Sequence, residues 1–153
     1  MKTFDKLYLV TERLVIRPLV DKDVEELFAI YSDPEVMKFW STIPWTKLAQ
    51  AKELIDENAE AFKTGSHIQF GIEAKVEQNL MGTCILFNFS EQCKRAEIGY
   101  ILGKPFWGHG YMSEAISALI NYAFSDMELH RIEADIDPRN LPSLKLLKRL
   151  GFK

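Results

Sequence analysis

Between Pro105 and Ala115 the chain reads PFWGHGYMSEA, with Gly108 and Gly110 set among the aromatics Phe106, Trp107 and Tyr111. Downstream, Met112, Ala115, Ile116, Leu119, Ala123 and Phe124 recur at helical spacing, which predicts a helix over about 108–127 with the glycines at its mouth. A glycine pair there has two readings. It can make a turn, or it can open the backbone to an anion met by the unpaired N–H groups of a helix start. A nucleotide-hydrolase loop would need Lys and then Ser or Thr after the last glycine, and Tyr111-Met112 follow instead. A dinucleotide fingerprint would need a third glycine where Ser113 stands. A second candidate for chemistry is Glu97. In RAEIGYIL, period-two spacing puts Ala96, Ile98, Tyr100 and Leu102 on one face and Glu97, Gly99 and Ile101 on the other. A carboxylate beside a glycine can line a cleft for an amine and its water, or it can be a solvated strand residue. To act as a base near neutral pH it needs a desolvated setting. Further on, Asn140-Leu141-Pro142-Ser143 reads as the capped start of another helix, with Leu144, Leu147 and Leu150 facing inward.

Other elements must hold these residues in place. LVIRPLV (Leu14 to Val20) reads as a strand, and DKDVEELFAIYSD as a helix capped by Asp21. FWSTIPWT is an aromatic loop broken by proline. TKLAQAKELIDENAEAFKTG is a long helix that buries Leu48, Ala51, Leu54, Ile55, Ala59 and Phe62 and stops at Gly65. HIQFGIEA and NLMGTCILFNF then alternate with period two and join at Glu77-Gln78-Asn79 as a hairpin. The second of these strands should show Met81, Thr83, Ile85, Phe87 and Phe89 on one side. RAEIGYILG is the next strand, and HRIEADID follows the glycine-mouthed helix. The order β-α-α-β-β-β-α-β-α predicts an antiparallel meander followed by a parallel, right-handed strand–helix–strand crossover. That is an α+β (mixed α/β) layer around one central sheet.

Composition narrows the function classes. With 153 residues, 47% hydrophobic and 27% charged, the chain fits one domain with its own core. A net charge of −3 gives no basic footprint, which argues against nucleic acid as a partner. Cys84 and Cys93 lack metal-ligand spacing, so neither a metal site nor a redox pair is expected. No apolar run reaches the roughly 18 residues of a membrane span, and MKTFDKLYLVTERL carries no secretory core. The expectation is a cytoplasmic protein with no membrane partner.

Five segments in order carry a likeness to a known family: TERLVIRPL, SDPEVMKF, AEIGYIL, PFWGHGYMSEA and NLPSLKLLKRLGF. Together they resemble the GNAT-type acyl-CoA-dependent N-acetyltransferases, most closely the ribosomal-protein N-terminal acetyltransferase (RimJ/RimL-like) branch. The resemblance implies a mixed, mostly antiparallel sheet flanked by helices. It implies transfer of an acetyl group from acetyl-CoA to a primary amine by direct attack in a ternary complex. The amine would be a protein N-terminal α-amine or a small molecule. Carried over, Trp107, Gly108, His109, Gly110, Tyr111 and Met112 line the acyl-CoA pyrophosphate site, and Asn140 contacts the pantetheine arm. Glu97 is the implied base, acting directly or, as is usual in the family, through water, and Ser143 the implied proton donor to the departing thiolate. The superfamily pattern has Gln or Arg three residues before the first glycine. This chain has Pro105 there, which removes one side-chain donor to the phosphates. The acceptor pocket is expected from the first helices and the Phe39–Trp45 loop. Trp40 and Trp45 are its aromatic candidates, although core packing explains them equally well.

The chemistry sets a proton problem. A lysine-like amine, pKa about 10.4, needs roughly 4 to 5 kcal/mol to lose its proton at pH 7, whereas an α-amine near 7.7–8 needs about 1 kcal/mol. The family normally continues beyond Gly151-Phe152 with further strands, so the expectation is a single domain over 1–153 that is short at its C-terminus. Its open sheet edge would be one a homodimer can cover. A non-catalytic acyl-CoA-binding or assembly module is the alternative reading.

Overall fold

The structure, a computed structural model, describes residues 8–40 and 43–152. Ser41 and Thr42 of the aromatic loop, the first seven residues and Lys153 lie outside the described residues. Six strands form one sheet in the order β1 (Leu9–Val10), β2 (Leu14–Pro18), β3 (Ile68–Ala74), β4 (Leu80–Ser90), β5 (Arg95–Leu102) and β6 (Arg131–Glu133). Neighbours pair antiparallel from β1 to β5, and β5 pairs with β6 in parallel. Four helices flank the sheet: α1 (Val24–Tyr31), α2 (Ala49–Thr64), α3 (Tyr111–Ser125) and α4 (Leu141–Arg149). The meander and the parallel crossover through α3 are as expected. The two-residue β1 is an addition, too short to register as a periodic pattern.

Each face of the sheet has its own core. On one, Met112, Ala115, Ile116 and Leu119 of α3 and Leu146 of α4 pack on Leu14, Ile16, Phe70, Ile72, Cys84, Leu86, Ala96 and Ile98. On the other, Leu27, Ile30 and Tyr31 of α1 and Ala51 and Ile55 of α2 meet Leu19, Leu80 and Ile101. Phe62, near the end of α2, joins the first cluster by packing edge-on against Phe70, with ring centroids 5.6 Å apart. A buried ion pair fixes the passage from β2 into α1. The Arg17 guanidinium donates to both Asp23 oxygens at 2.9 Å and to Glu73 Oε1 at 3.0 Å. Asp23, not Asp21, accepts the Val20 amide at the start of this turn; Asp21 is exposed and pairs with Lys52.

Three local differences from the sequence pattern have physical causes. In α2 the buried stripe runs through Ala51, Ile55, Asn58, Ala61 and Phe62, while Ala59 and Leu48 are exposed. Asn58 is polar and so invisible to apolar periodicity, but its amide is hydrogen-bonded inside. In β4 the alternation breaks at register shifts near Glu73 and beyond Phe87. Met81 therefore joins the α3 core and Leu80 the α1 core. In α4 the inward stripe is Ser143, Leu146 and Leu147, with Leu144 and Leu150 only half-buried.

Candidate functional site

The glycine loop comes first. After a short 3-10 turn at Lys104–Phe106, Gly108 and Gly110 adopt φ of +82° and +76°, and α3 begins at Tyr111. Those angles, not crowding, demand glycine. A Cβ on Gly108 would meet nothing within 4 Å, and one on Gly110 only Arg13 Nη2 at 3.5 Å. No side chain caps the first turn of α3. Its first N–H groups therefore have no side-chain cap at the positive end of the helix. Trp107 is exposed, and its indole N–H donates to Leu102 O at 2.8 Å, tying the loop to the end of β5. Met112 is buried, so only its backbone can face the loop. The ring of His109 is exposed, 5.7 Å from that of Tyr111.

A clamp from the turn between β1 and β2 holds this loop. Arg13 donates from Nη1 to His109 O at 2.9 Å and from Nε to Glu114 Oε1 at 2.7 Å, and its guanidinium carbon lies 4.4 Å from the Tyr111 ring centre. Glu114 also accepts from the Thr11 hydroxyl and the Arg13 amide. Burial raises the Glu114 carboxyl, but the bonds from Thr11 and Arg13 outweigh it and leave the group below its ordinary value. The pattern around Gly108 gave no hint of Arg13, which is about a hundred positions away in the chain, and Glu114 carried no assignment.

Next is the gap between strands. β5 pairs with β6 only over Arg95–Glu97 and Arg131–Glu133, after which the two share no ladder. Beyond Glu97 the outer backbone edge of β5 is thus left open as far as Tyr100, Leu102 O being taken by the Trp107 indole, and amide groups of an extended molecule can pair with such an edge. At the gap, Ser143 Oγ of α4 lies 2.6 Å from Tyr100 OH. Burial holds the Tyr100 phenol above its ordinary value, against the opposing effect of the Ser143 hydrogen bond, so it stays protonated near neutral pH. Asn140 is engaged as the N-cap of α4, its Oδ1 accepting the Ser143 amide at 3.4 Å. Tyr100 reads in the sequence as one more apolar-face residue; nothing but the placement of α4 reveals its partner.

Glu97 lies on the opposite face, as its alternation predicts. It is half-buried, pairs in register with Phe87 and accepts from Asn88 Nδ2. Asn88 reaches it because the chain there has φ of +52° at the register shift. Beside this pair is a cavity of about 390 Å³ lined by Trp40, Ser66, His67, Ile85, Phe87 and Asn88. Gly99 makes room for Trp40: a Cβ there would lie 3.2 Å from the edge of its ring. Trp45 is elsewhere, stacked on Tyr31 with centroids 4.4 Å apart and packed against the α1 core.

A glycine loop feeding an uncapped helix, a sheet parted beside it and a carboxylate on the other face at the parting are the arrangement that the likeness to the acyl-CoA-dependent N-acetyltransferases implies. The Acetyltransferase (GNAT) domain family matches residues 13–153. The chain is 40% identical over 145 residues to the "Uncharacterized N-acetyltransferase p20" of Bacillus licheniformis, covering 95% of this chain and 82% of that protein. It is 31% identical over 160 residues to the "[Ribosomal protein uS5]-alanine N-acetyltransferase" of Escherichia coli, covering 97% and 79%. "Mycobacterium smegmatis RimJ in complex with CoA-disulfide" superposes with a TM-score of 0.89 over 100% of this chain and 78% of that one; at 20% identity this is a likeness of fold. The chain belongs to the GNAT acetyltransferase family, in its RimJ/RimL-like branch. It is an N-acetyltransferase. Among the described residues no cluster suited to a metal is present, and no helix is long and apolar enough to cross a membrane.

Proposed function

We propose that the protein transfers the acetyl group of acetyl-CoA to a primary amine in a ternary complex, in the cytoplasm, with a peptide α-amine as the preferred acceptor. The observation that carries this reading is Glu97 beside a cavity on one face, with the glycine loop and the open β5 edge beyond it. The bare N–H groups of Gly108 to Met112 suit the pyrophosphate, and the unpaired edge of β5 suits the amides of the pantetheine arm. Asn140, already capping α4, would hold the end of that arm from its backbone.

The acceptor nitrogen attacks the thioester carbon, and the C–S bond of the tetrahedral intermediate then breaks. Glu97, through a water, takes the proton that the nitrogen must lose. Ser143, hydrogen-bonded to the protonated Tyr100, relays the phenol's proton to the thiolate; solvent then reprotonates Tyr100 and takes the proton held by Glu97, which restores both groups. An α-amine suits this site because it needs only about 1 kcal/mol for deprotonation at pH 7. The ribosomal-protein acetyltransferase among the relatives supports a peptide acceptor.

Steady-state rates with acetyl-CoA and a panel of peptide and small amines, read by free-thiol release, test the proposal. Glu97→Gln is expected to lower kcat about a hundredfold or more and to leave thermal stabilisation by CoA intact. Unchanged turnover in that variant would remove Glu97 from the mechanism. Absence of any stabilisation of the parent protein by CoA would remove the glycine loop.

A further inference from the structure

His67 was assigned no role by sequence, yet it stands on the same sheet face as Glu97. Ile68 pairs with Leu86, so His67, one residue earlier, falls opposite Phe87, and Phe87 is itself paired with Glu97. The three side chains make one row across three strands, and His67 and Phe87 both line the 390 Å³ cavity. Two strand spacings separate the outer members, about 10 Å.

A buried polar relay sets the state of the imidazole. Gln69 Nε2 donates to Tyr31 OH at 3.1 Å, and Tyr31 OH lies 2.8 Å from Thr83 Oγ1. Asn58 Nδ2 donates to Gln69 Oε1 at 2.9 Å, which turns Asn58 Oδ1 towards His67 Nε2 at 3.2 Å. Tyr31, Asn58, Gln69 and Thr83 are all more than nine-tenths buried, so the relay has no water with which to exchange partners. An oxygen facing Nε2 requires the proton on Nε2. In the neutral ring Nδ1 then carries the lone pair, and no hydrogen-bond partner occupies it among the described residues.

We infer that His67 is a specificity residue of the acceptor site, its Nδ1 accepting a hydrogen bond from the backbone N–H about three residues into a peptide whose α-amine is at Glu97. The length follows from the row. An extended peptide rises about 3.3 Å per residue, so about 10 Å from the reacting nitrogen is three rises and falls at the amide N–H that follows the third residue, which an amidated three-residue acceptor already carries. Phe87 and Trp40 supply the apolar wall between. A compact small amine cannot reach both ends. This inference rests on the proposed acetyl transfer, and the experiment separates the two.

The acceptors are alanine oligomers of one to four residues, with free α-amines and amidated C-termini. The parent protein is expected to gain about three- to tenfold in kcat/KM between the second and third residue, through KM. His67→Phe, which keeps a ring but no nitrogen, should erase that step, giving the same kcat/KM for acceptors of two and of three residues, and should leave the CoA-induced thermal shift unchanged. His67→Gln, which can both face Asn58 and offer an oxygen, should restore most of it. Calorimetric binding of the same peptides to the CoA-loaded Glu97→Gln variant should show the same step without turnover. The inference is overturned if no step exists in rate or binding, if His67→Phe preserves it, or if His67→Phe weakens acceptors of every length alike. A binding step with no turnover of any amine would instead overturn the acetyl-transfer reading and leave this one standing.

Discussion

Gly108 carries no side chain, has empty space where one would be, and still cannot be replaced freely, because φ of +82° is disfavoured for any residue with a Cβ. Alanine there should lower stability by about 1 kcal/mol, as a strained turn does. Asparagine, which tolerates this region better, should lower it less. CoA affinity should follow the same order, since relaxing the strain means rotating the N–H groups that face the anion. Thermal midpoints and calorimetric titration with CoA measure both. An alanine variant that keeps its midpoint and its affinity would show that the left-handed turn is not what organises the loop. Gly99 is a different case at the same scale. It has ordinary backbone angles, and its missing Cβ is space that Trp40 fills. In the proposed reaction the two glycines serve donor and acceptor separately, one through conformation and one through volume.

Among elements, the clamp of the β1–β2 turn on the first turn of α3 has a predictable pH dependence. The Glu114 carboxyl is held below its ordinary value of 4.5, so the folded protein releases this proton more readily than the unfolded chain. The clamp's stabilisation is therefore complete above that ordinary value and is lost as pH falls through the lower folded value. Thermal midpoints of the parent and of Glu114→Gln should differ at pH 6 and converge at lower pH. A gap that stays constant with pH would mean the carboxylate charge does not matter there. This element also shows how far the sequence can be read. The helix behind the glycines, the hairpin and the face carrying Glu97 all follow from periods of 3.6 and 2, which depend on neighbours along the chain. Arg13 on His109, Ser143 on Tyr100 and Asn58 on His67 are contacts made by tertiary packing, and no local period encodes them. The same limit explains β4, where a bulge moved Met81 to the other face, and α2, where a satisfied amide took a place that an apolar pattern gives to Ala59. Five family segments in order made the donor loop legible, but they contained little about the acceptor cavity.

At the scale of the molecule, the sheet works as a partition. α3, α4 and the glycine loop are on one side with Tyr100 and Ser143; α1, α2, Trp40, His67 and Glu97 are on the other. The two sides communicate where β5 and β6 part after three paired residues, and in the proposed reaction the thioester meets the amine at that opening. A partition of this kind predicts independence. Arg13→Ala loosens the glycine loop and should raise KM for acetyl-CoA several-fold while leaving KM for the amine unchanged. Trp40→Ala removes part of the cavity wall and should do the reverse. The two residues share no partner among the contacts of either site, so their effects on kcat/KM should add to within about 0.5 kcal/mol, a factor of roughly two in rate. Initial rates over a matrix of both substrate concentrations, for the parent, both single variants and the double variant, supply all four corners of the cycle. A larger coupling would mean that donor binding reshapes the acceptor cavity, with β5, which carries Tyr100 to one face and Glu97 to the other, as the element that transmits it. Additivity would mean that β5 is a rigid divider, and that the order in which the two substrates bind is set by access to the opening and not by a change in the sheet.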